Sequence, residues 1–107
     1  MSSSVRELLE AMPGAFLPDK AGGATALIQL DLTGDDGGVW LLDIAGGECK
    51  VREEKASKAD VTVTMDADDF VALYGNKLNP VQAFMSGRIK VAGNVGMVMQ
   101  LLNWFDR

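Results

Sequence analysis

The sequence predicts an α+β fold of two layers, in which helices cover the apolar face of one five-stranded sheet. The predicted element order is α-β-β-β-β-α-α-β-α, because strand and helix periodicities follow one another along the chain in that order. The strands alternate apolar and polar residues, which is typical of a sheet with one buried face. At 107 residues the chain has the length of one domain, so residues 1–107 are predicted to share a single core.

The first helix is predicted to begin at Ser4, with Ser4 as the N-cap and Glu7 at the third helical position. Pro13-Gly14 is predicted to end it. The next segment, Ala15 to Gly23, is predicted to be a loop with room for one helical turn, and its apolar pair Phe16-Leu17 packs onto the core. The apolar stripe of the helix follows the spacing of three and four residues and comprises Val5, Leu8, Leu9 and Met12.

Three strands are predicted next, joined as an antiparallel meander with one face exposed to water. Thr25 to Leu32 pairs through a glycine-rich hairpin loop with Val39 to Ala45. Gly46-Gly47 allows a tight two-residue turn, since both residues tolerate positive φ, and Glu48 to Arg52 forms the third strand. The residues predicted to face inward are Ala26, Ile28, Leu30, Leu32, Trp40, Leu42, Ile44, Cys49 and Val51.

A charged crossover, Glu53 to Asp60, is predicted to carry the chain over the surface to another position in the sheet. Asp66 and Asn79 are the predicted N-caps of the two helices that follow. The predicted strand, two helices and final strand have the bounds Val61–Met65, Asp66 to Gly75, Asn79 to Gly87 and Arg88–Ala92. The residues predicted to face the core are Phe70, Leu73, Tyr74, Val81, Phe84, Met85, Ile89 and Val91.

The last helix, opened by Gly93-Asn94, is predicted to run to Phe105 and carries more apolar surface than one sheet can cover. On a helical wheel its polar residues form a narrow stripe, Gly96, Gln100 and Asn103. The apolar residues cover roughly 220°, whereas packing on one sheet requires only a little more than about 100°. This surplus predicts a further contact, which is a ligand, a partner chain or simply more core.

Composition and charge exclude several classes of function. The net charge of −5, from 15 acidic and 10 basic residues, argues against nucleic-acid binding and against strong attraction to anionic lipid. The absence of histidine excludes Ser-His-Asp and Cys-His catalysis and most zinc sites. The one cysteine, Cys49, cannot form an internal disulfide and is expected to be a small core residue. With no transmembrane or signal segment, a cytoplasmic protein is expected.

The carboxylates do not form a recognisable site. Asp66, Asp68 and Asp69 lie where a helix dipole favours negative charge, so helix stabilisation is predicted rather than metal binding. Asp31 and Asp43 fall on the polar side of the strand alternation and are predicted to be solvated rather than catalytic. No glycine-rich segment has the six-residue nucleotide-binding fingerprint, and no cofactor is predicted. Since nothing in the sequence would perturb the pKa of these carboxylates, the protein is expected not to be an enzyme.

Several motifs stand in the order and spacing of a known family. They are Ala59-Asp60-Val61-Thr62-Val63, Asp69-Phe70, Asn79-Pro80 with Ala83-Phe84, Gly87-Arg88-Ile89-Lys90-Val91, and Gly93-Asn94 before the Met/Leu-rich helix. In the first half, Phe16-Leu17-Pro18 and the Gly34-to-Trp40 hairpin match more weakly. With these motifs, nearly the whole chain resembles the sterol carrier protein type-two family.

The resemblance implies a five-stranded mixed sheet with helices on one face and an apolar tunnel between the layers. It also implies non-catalytic binding or transfer of a fatty acyl chain, an acyl-CoA, a sterol or a prenyl-like lipid. This family offers no invariant polar motif, so the predicted ligand contacts come from the wheel and the strand alternation. They are Ile28, Leu30, Trp40, Phe70, Tyr74, Phe84, Met85, Met97, Val98, Leu101, Trp104 and Phe105.

The last helix is predicted to divide its apolar residues between ligand and sheet. The ligand-facing group is Met97, Leu101 and Trp104, and the sheet-facing group is Val95, Met99 and Leu102. One tunnel end is expected to be open beside Trp104, because the sequence stops just after this helix.

Two other functions stay open at this point. The chain could be an accessory domain that forms a homodimer or docks on an enzyme through the apolar C-terminal helix. A small tunnel enzyme acting on a polycyclic or steroid substrate ranks last. It would need an acid or base placed in an apolar pocket, and only Tyr74 and the solvent-facing carboxylates are candidates. A transient membrane contact is also left open.

Overall fold

The computed structural model describes residues 3–34, 37–75 and 77–106. Its fold is the predicted α+β class, with one five-stranded mixed sheet and helices packed against it. The predicted order of elements is confirmed, with one short helix added after the first. The elements are α1 Ser3–Ala15, α2 Pro18–Ala21, β1 Ala26–Thr33, β2 Gly38–Ala45, β3 Glu48–Arg52, β4 Val61–Asp66, α3 Ala67–Tyr74, α4 Pro80–Met85, β5 Ile89–Gly93, α5 Val95–Leu101 and a 3-10 turn, Leu102–Trp104.

The sheet has the strand order β3-β2-β1-β4-β5. Strands β1 to β3 form the predicted antiparallel meander, and β5 is antiparallel to β4. Strand β4 lies parallel to β1, with Ile28 opposite Val61 and Leu32 opposite Met65. The parallel pair makes the sheet mixed and places both C-terminal strands on the far side of β1.

The helices cover one face of this sheet and enclose a continuous core. The inward residues predicted for the meander are buried, apart from Val51, which is partly buried at the edge. Val5, Leu9 and Met12 of α1 are buried against them, and Leu8 is partly buried. The prediction of one apolar stripe on the first helix is therefore confirmed.

The meander pattern predicts that the opposite face of the sheet is exposed to water, but part of this face is covered. Leu41 is only 1% exposed and the side chain of Gln29, its partner across the strands, is also buried. The backbone N–H of Ala56, in the crossover after β3, donates to Oε1 of Gln29 at 3.1 Å. The crossover therefore covers the middle of this face, which alternation within single strands cannot reveal.

The first helix extends beyond its predicted end. It begins at Ser3 and continues through Pro13 to Ala15. The side chains of Ser3 and of the predicted capping residue Ser4 lie outside the part that the structure describes, so the predicted cap at Ser4 stays a prediction. A proline in the last turn removes only one backbone hydrogen bond. The C-terminal segment stabilises this last turn of α1, because the N–H of Asp106 donates to the carbonyl of Ala15 at 2.8 Å.

Three side-chain caps begin the C-terminal helices. Asp66 accepts from the N–H of Asp68 at 2.9 Å, and Asn94 accepts from that of Met97 at 3.2 Å. Asn79 accepts from two backbone N–H groups at 2.9 and 3.1 Å. These contacts confirm the predicted helix starts, since Asp and Asn are strong N-caps.

Helix α4 contradicts the predicted orientation. Val81, Phe84 and Met85 were predicted to face the core but are 53%, 37% and 80% exposed, and Ala83 is buried instead. Periodicity grouped the three apolar residues correctly on one face, but it does not say which face points inward. The small side chain of Ala83 lets α4 pack closely on β5, and the N–H of Arg88 donates to its carbonyl at 2.9 Å.

The last helix is shorter than predicted. Helix α5 ends at Leu101, a 3-10 turn follows, and Phe105 is extended. The wheel of about 100° per residue therefore does not hold beyond Leu101, because a 3-10 turn advances by about 120°. The predicted polar stripe of Gly96, Gln100 and Asn103 is exposed, as expected.

Cys49 is buried on β3, as predicted for a small core residue. Burial raises the pKa of its thiol to about 11, with a smaller contribution from the Asp43 carboxylate. The thiolate fraction near neutral pH is therefore much lower than that of an exposed cysteine.

We expect Cys49 to react with an aromatic disulfide reagent about a hundredfold more slowly at pH 8 in the native protein than in denaturant, because its pKa is about two units higher. The native rate should rise with pH up to about 11. Absorbance of the released thiol measures both rates. Equal native and denatured rates at pH 8 would contradict the burial of this thiol.

Gly93 provides a test of the β4–β5 contact. It has φ +120°, and a Cβ there would lie 2.8 Å from the carbonyl oxygen of Asp60 and 3.1 Å from Cα of Val61. Gly87 is the matched control, because its φ is +83° but a Cβ would meet nothing within 4 Å. We expect Gly87→Ala to lower the free energy of unfolding by about 1–2 kcal/mol through backbone strain alone. Gly93→Ala should cost clearly more in urea denaturation, and equal losses would show that the close approach is unimportant.

Candidate apolar ligand site

An apolar cavity of about 20 Å³ lies between the sheet and the helices. The sheet, α1, α3, α5 and the C-terminal segment all contribute to its wall. The lining residues are Met12, Leu30, Leu42, Val63, Met65, Phe70, Leu73, Tyr74, Val98, Leu101, Leu102 and Phe105.

The wall is apolar almost throughout. Tyr74 contributes the one hydroxyl among the lining side chains, and the others are aliphatic, aromatic or thioether groups. A space of this volume is close to the minimum for one water molecule, and a water also needs two to four polar partners. The wall does not supply such a set, so the chemistry of the site favours hydrocarbon over water.

The cavity is far smaller than a lipid. Ligand pockets typically have volumes of about 300–1,000 Å³. The implied tunnel is therefore not open in this structure, and an acyl chain could enter only if the helices moved away from the sheet. The wall includes a methionine from each layer, Met12 from α1 and Met65 from β4. Methionine is flexible and adapts readily when the shape of a cavity changes.

Aromatic rings pack together where the C-terminal segment meets the cavity wall. Phe105 lies 5.5 Å from Phe16 and 6.1 Å from Tyr74 between ring centroids, with both pairs edge-to-face, and Phe70 lies 6.3 Å from Tyr74. The N–H of Leu17 also donates to the carbonyl of Trp104. The expectation of an open end beside Trp104 is therefore wrong, because the terminal segment folds back onto the loop after α1.

The structure brings half of the predicted ligand residues together. The predicted residues that line the cavity are Leu30, Phe70, Tyr74, Val98, Leu101 and Phe105. Ile28, Trp40 and Trp104 are buried elsewhere in the core, and Met97 is half-buried. Trp40 lies under α1, whose Arg6 guanidinium is 5.1 Å from its ring. The predicted contacts Phe84 and Met85 are exposed on α4, away from the cavity.

Six lining residues were absent from the predicted ligand set. They are Met12, Leu42, Val63, Met65, Leu73 and Leu102. Periodicity marks most of them as inward-facing, but it cannot say which inward residues lie beneath α3 and α5. That depends on the neighbours of β1, and a sequence pattern does not specify the strand order.

The predicted division of the last helix is wrong. Leu101 and Leu102, one from each predicted group, both line the cavity together with Val98. Met97 and Met99 are both half-buried at the margins. The buried side of α5 is therefore centred on Val98, between the predicted ligand-facing group and the predicted sheet-facing group.

The carboxylates lie outside the cavity. Asp66 caps α3, and Asp43 lies 3.6 Å from Arg52 on the sheet surface. Within the described ranges, no three metal-ligating side chains are grouped together. The helices of these ranges also lack the length and hydropathy of a membrane span.

Comparison with known proteins agrees with this architecture. The model of the SCP-2 sterol transfer family matches residues 6–106. Hydroxysteroid dehydrogenase-like protein 2 of Mus musculus is 42% identical over 99 residues, which cover 92% of this chain and 20% of the mouse protein. The chain therefore spans about a fifth of that relative's length.

Solved structures show the same fold. The solution structure of sterol carrier protein domain 2 of Helicoverpa armigera is 29% identical, with a TM-score of 0.77 over 94% of this chain and 84% of that one. The solution structure of palmitated SCP2L2 from Aedes aegypti is 26% identical, with a TM-score of 0.75 over 94% and 89%. On its sequence match and its fold, this chain belongs to the SCP-2 sterol transfer family.

Proposed function

We propose that the chain binds a long-chain fatty acid or acyl-CoA between its sheet and its helices, without catalysing a reaction on it. The observation that carries this proposal is the apolar interlayer cavity, whose wall is built from both layers. The palmitated Aedes aegypti relative supports a fatty acyl ligand over a sterol or a prenyl-like lipid. In this proposal residues 1–107 act as one lipid-binding domain.

Ligand entry requires the two layers to separate. Leu30, Leu42 and Val63 belong to hydrogen-bonded central strands and form the rigid side of the wall. The opposite side comes from short helices and from the terminal segment, which the Phe16–Phe105 contact holds in place. We expect α5 and this segment to move, because they are tied to the rest by side-chain packing and few backbone hydrogen bonds.

The hydrophobic gain is large enough for useful affinity. Burying about ten methylenes at about 0.8 kcal/mol each yields roughly 8 kcal/mol before costs. A micromolar Kd corresponds to about 8.2 kcal/mol, and a longer chain offsets part of the cost of immobilisation and of parting the layers. Affinity in the micromolar range or better is therefore within reach.

The composition of the wall supports binding without catalysis. A reaction on the lipid would need an acid or base placed against it, and the lining carries no carboxylate, amine or imidazole, with the Tyr74 hydroxyl as its one acid–base group. Binding, and transfer between membranes or enzymes, needs only the apolar surface. Metal and cofactor have no part in this proposal, and the cytoplasmic location stays a prediction.

The accessory-domain alternative named α5 as the docking surface. In the structure Val98 and Leu101 of that helix are buried against the chain's own sheet, so little of its apolar face is left for a partner. Native mass spectrometry of freshly purified protein separates the two functions. A co-purified lipid on a monomer supports the carrier, whereas an empty dimer supports the accessory domain.

Displacement of a fluorescent fatty acid from delipidated protein tests the main proposal. We expect palmitate and palmitoyl-CoA to displace the probe with micromolar Kd or better, because each buried methylene adds about 0.8 kcal/mol. Shortening the chain by two methylenes should therefore weaken binding about tenfold. Absence of displacement at tens of micromolar would contradict fatty acyl binding.

Leu101→Phe tests whether the cavity is the binding site. The larger ring should fill the space and lower palmitate affinity at least about tenfold, at a stability cost of about 1–3 kcal/mol from overpacking. Met97→Phe is the matched control, one turn earlier on the same helix and outside the wall, and it should leave affinity unchanged. Circular dichroism verifies that both variants are folded. Equal affinities for the two variants would place the ligand elsewhere.

A further inference from the structure

Three apolar side chains project from α4 into solvent. Val81, Phe84 and Met85, here called the α4 patch, are the exposed large apolar residues among those that the structure describes. Met85 is 80% exposed, so neither the cavity nor the core explains its apolar character. The helix is only six residues long, about 9 Å, and its buried side consists of Ala83. The α4 patch is therefore a small, exposed apolar surface.

The sequence segment that contains α4 is basic, whereas the rest of the sequence is acidic. Residues 70–105 contain three basic residues and no acidic residue, a net charge of +3, and the remaining residues carry −8. Lys77 and Arg88 stand three residues before and after α4. The carboxylate that directly precedes this segment, Asp69, forms an ion pair with Arg88, with 2.7 Å between Oδ1 of Asp69 and a guanidinium nitrogen of Arg88. Neither Lys77 nor Lys90 forms an ion pair with a described residue.

We infer that the α4 patch docks the protein on the surface of an anionic lipid bilayer. Phe84 and Met85 enter the boundary between headgroups and acyl chains, where apolar side chains leave water. Lys77 stays at the headgroup level, where each basic residue near an anionic surface strengthens binding about fivefold. The total charge of −5 argued against such contact, but it sums a basic segment and an acidic remainder of the sequence.

A bilayer fits the patch better than a second copy of the chain. Three side chains offer far less than the roughly 800 Å² per partner that a stable protein interface buries. A symmetric dimer would also place the same basic residues of both copies close together. A fluid bilayer needs neither a large area nor shape complementarity, because its lipids adapt to the inserted side chains.

The patch lies outside the cavity wall, so the inference concerns a second surface of the molecule. The inference does not depend on the proposed function, because vesicle binding can be measured on protein that carries no ligand.

Vesicle co-sedimentation at low ionic strength tests the inference. Delipidated protein should bind vesicles of mixed phosphatidylcholine and phosphatidylglycerol, and bind pure phosphatidylcholine vesicles much more weakly. Met85→Ser should weaken binding at least about tenfold, because a large apolar side chain no longer leaves water. Met99→Ser, a half-buried methionine on α5, is the matched control and should bind as the unaltered protein does.

A second pair of variants tests the charge contribution. Lys77→Gln should weaken binding to the anionic vesicles about fivefold, whereas Lys50→Gln, the same change on the opposite edge strand β3, should have no effect. Met85 and Lys77 are exposed, so circular dichroism and palmitate affinity should be unchanged in both α4 variants. Failure of the unaltered protein to bind anionic vesicles would overturn the inference. So would unchanged binding by Met85→Ser, or a dimer that this substitution dissociates, which would identify the patch as a protein interface.

Discussion

The parallel pairing of β1 with β4 is the contact on which the rest of the structure depends. A parallel neighbour cannot follow through a hairpin, so the chain must cross the sheet before β4 begins. Asp60 locks the end of this crossover, since its N–H donates to the carbonyl of Leu27 and its carboxylate accepts from the N–H of Leu27, both at 2.8 Å. Strand β5 then takes the far edge of the sheet beside β4, while α3 contacts β4 and β1 and α5 contacts β4.

The cavity is a consequence of that arrangement. The wall joins central strands, which hydrogen bonds hold on both sides, to short helices held mainly by side-chain packing. Close packing stabilises the fold, and a cavity of only about 20 Å³ leaves the two layers closely packed. The contact between Phe16 and Phe105 joins the segment after α1 to the C-terminal segment beside Tyr74 of the cavity wall. In the proposed function, this contact would have to give way when a ligand enters.

The two surfaces of interest differ in what covers them. The apolar side of α5 is satisfied by the chain's own sheet, whereas that of α4 is not, although both helices carry a similar stripe. Helix α4 buries only the small side chain of Ala83, whereas α5 buries Val98 and Leu101.

The sequence by itself determined the α+β class, the five strands, the helix caps at Asp66 and Asn79, the start of the last helix at Gly93-Asn94, and the family, because these depend on local periodicity, local hydrogen bonds and motif order. It also identified half of the residues that line the cavity. Only the tertiary structure decided which apolar residues share that wall, since this depends on strand order and on long-range pairing. The outward orientation of Met85 and the end of α5 at Leu101 were likewise tertiary decisions. A stripe has the same period on either side of a helix, and what it packs against is supplied by residues distant in the chain.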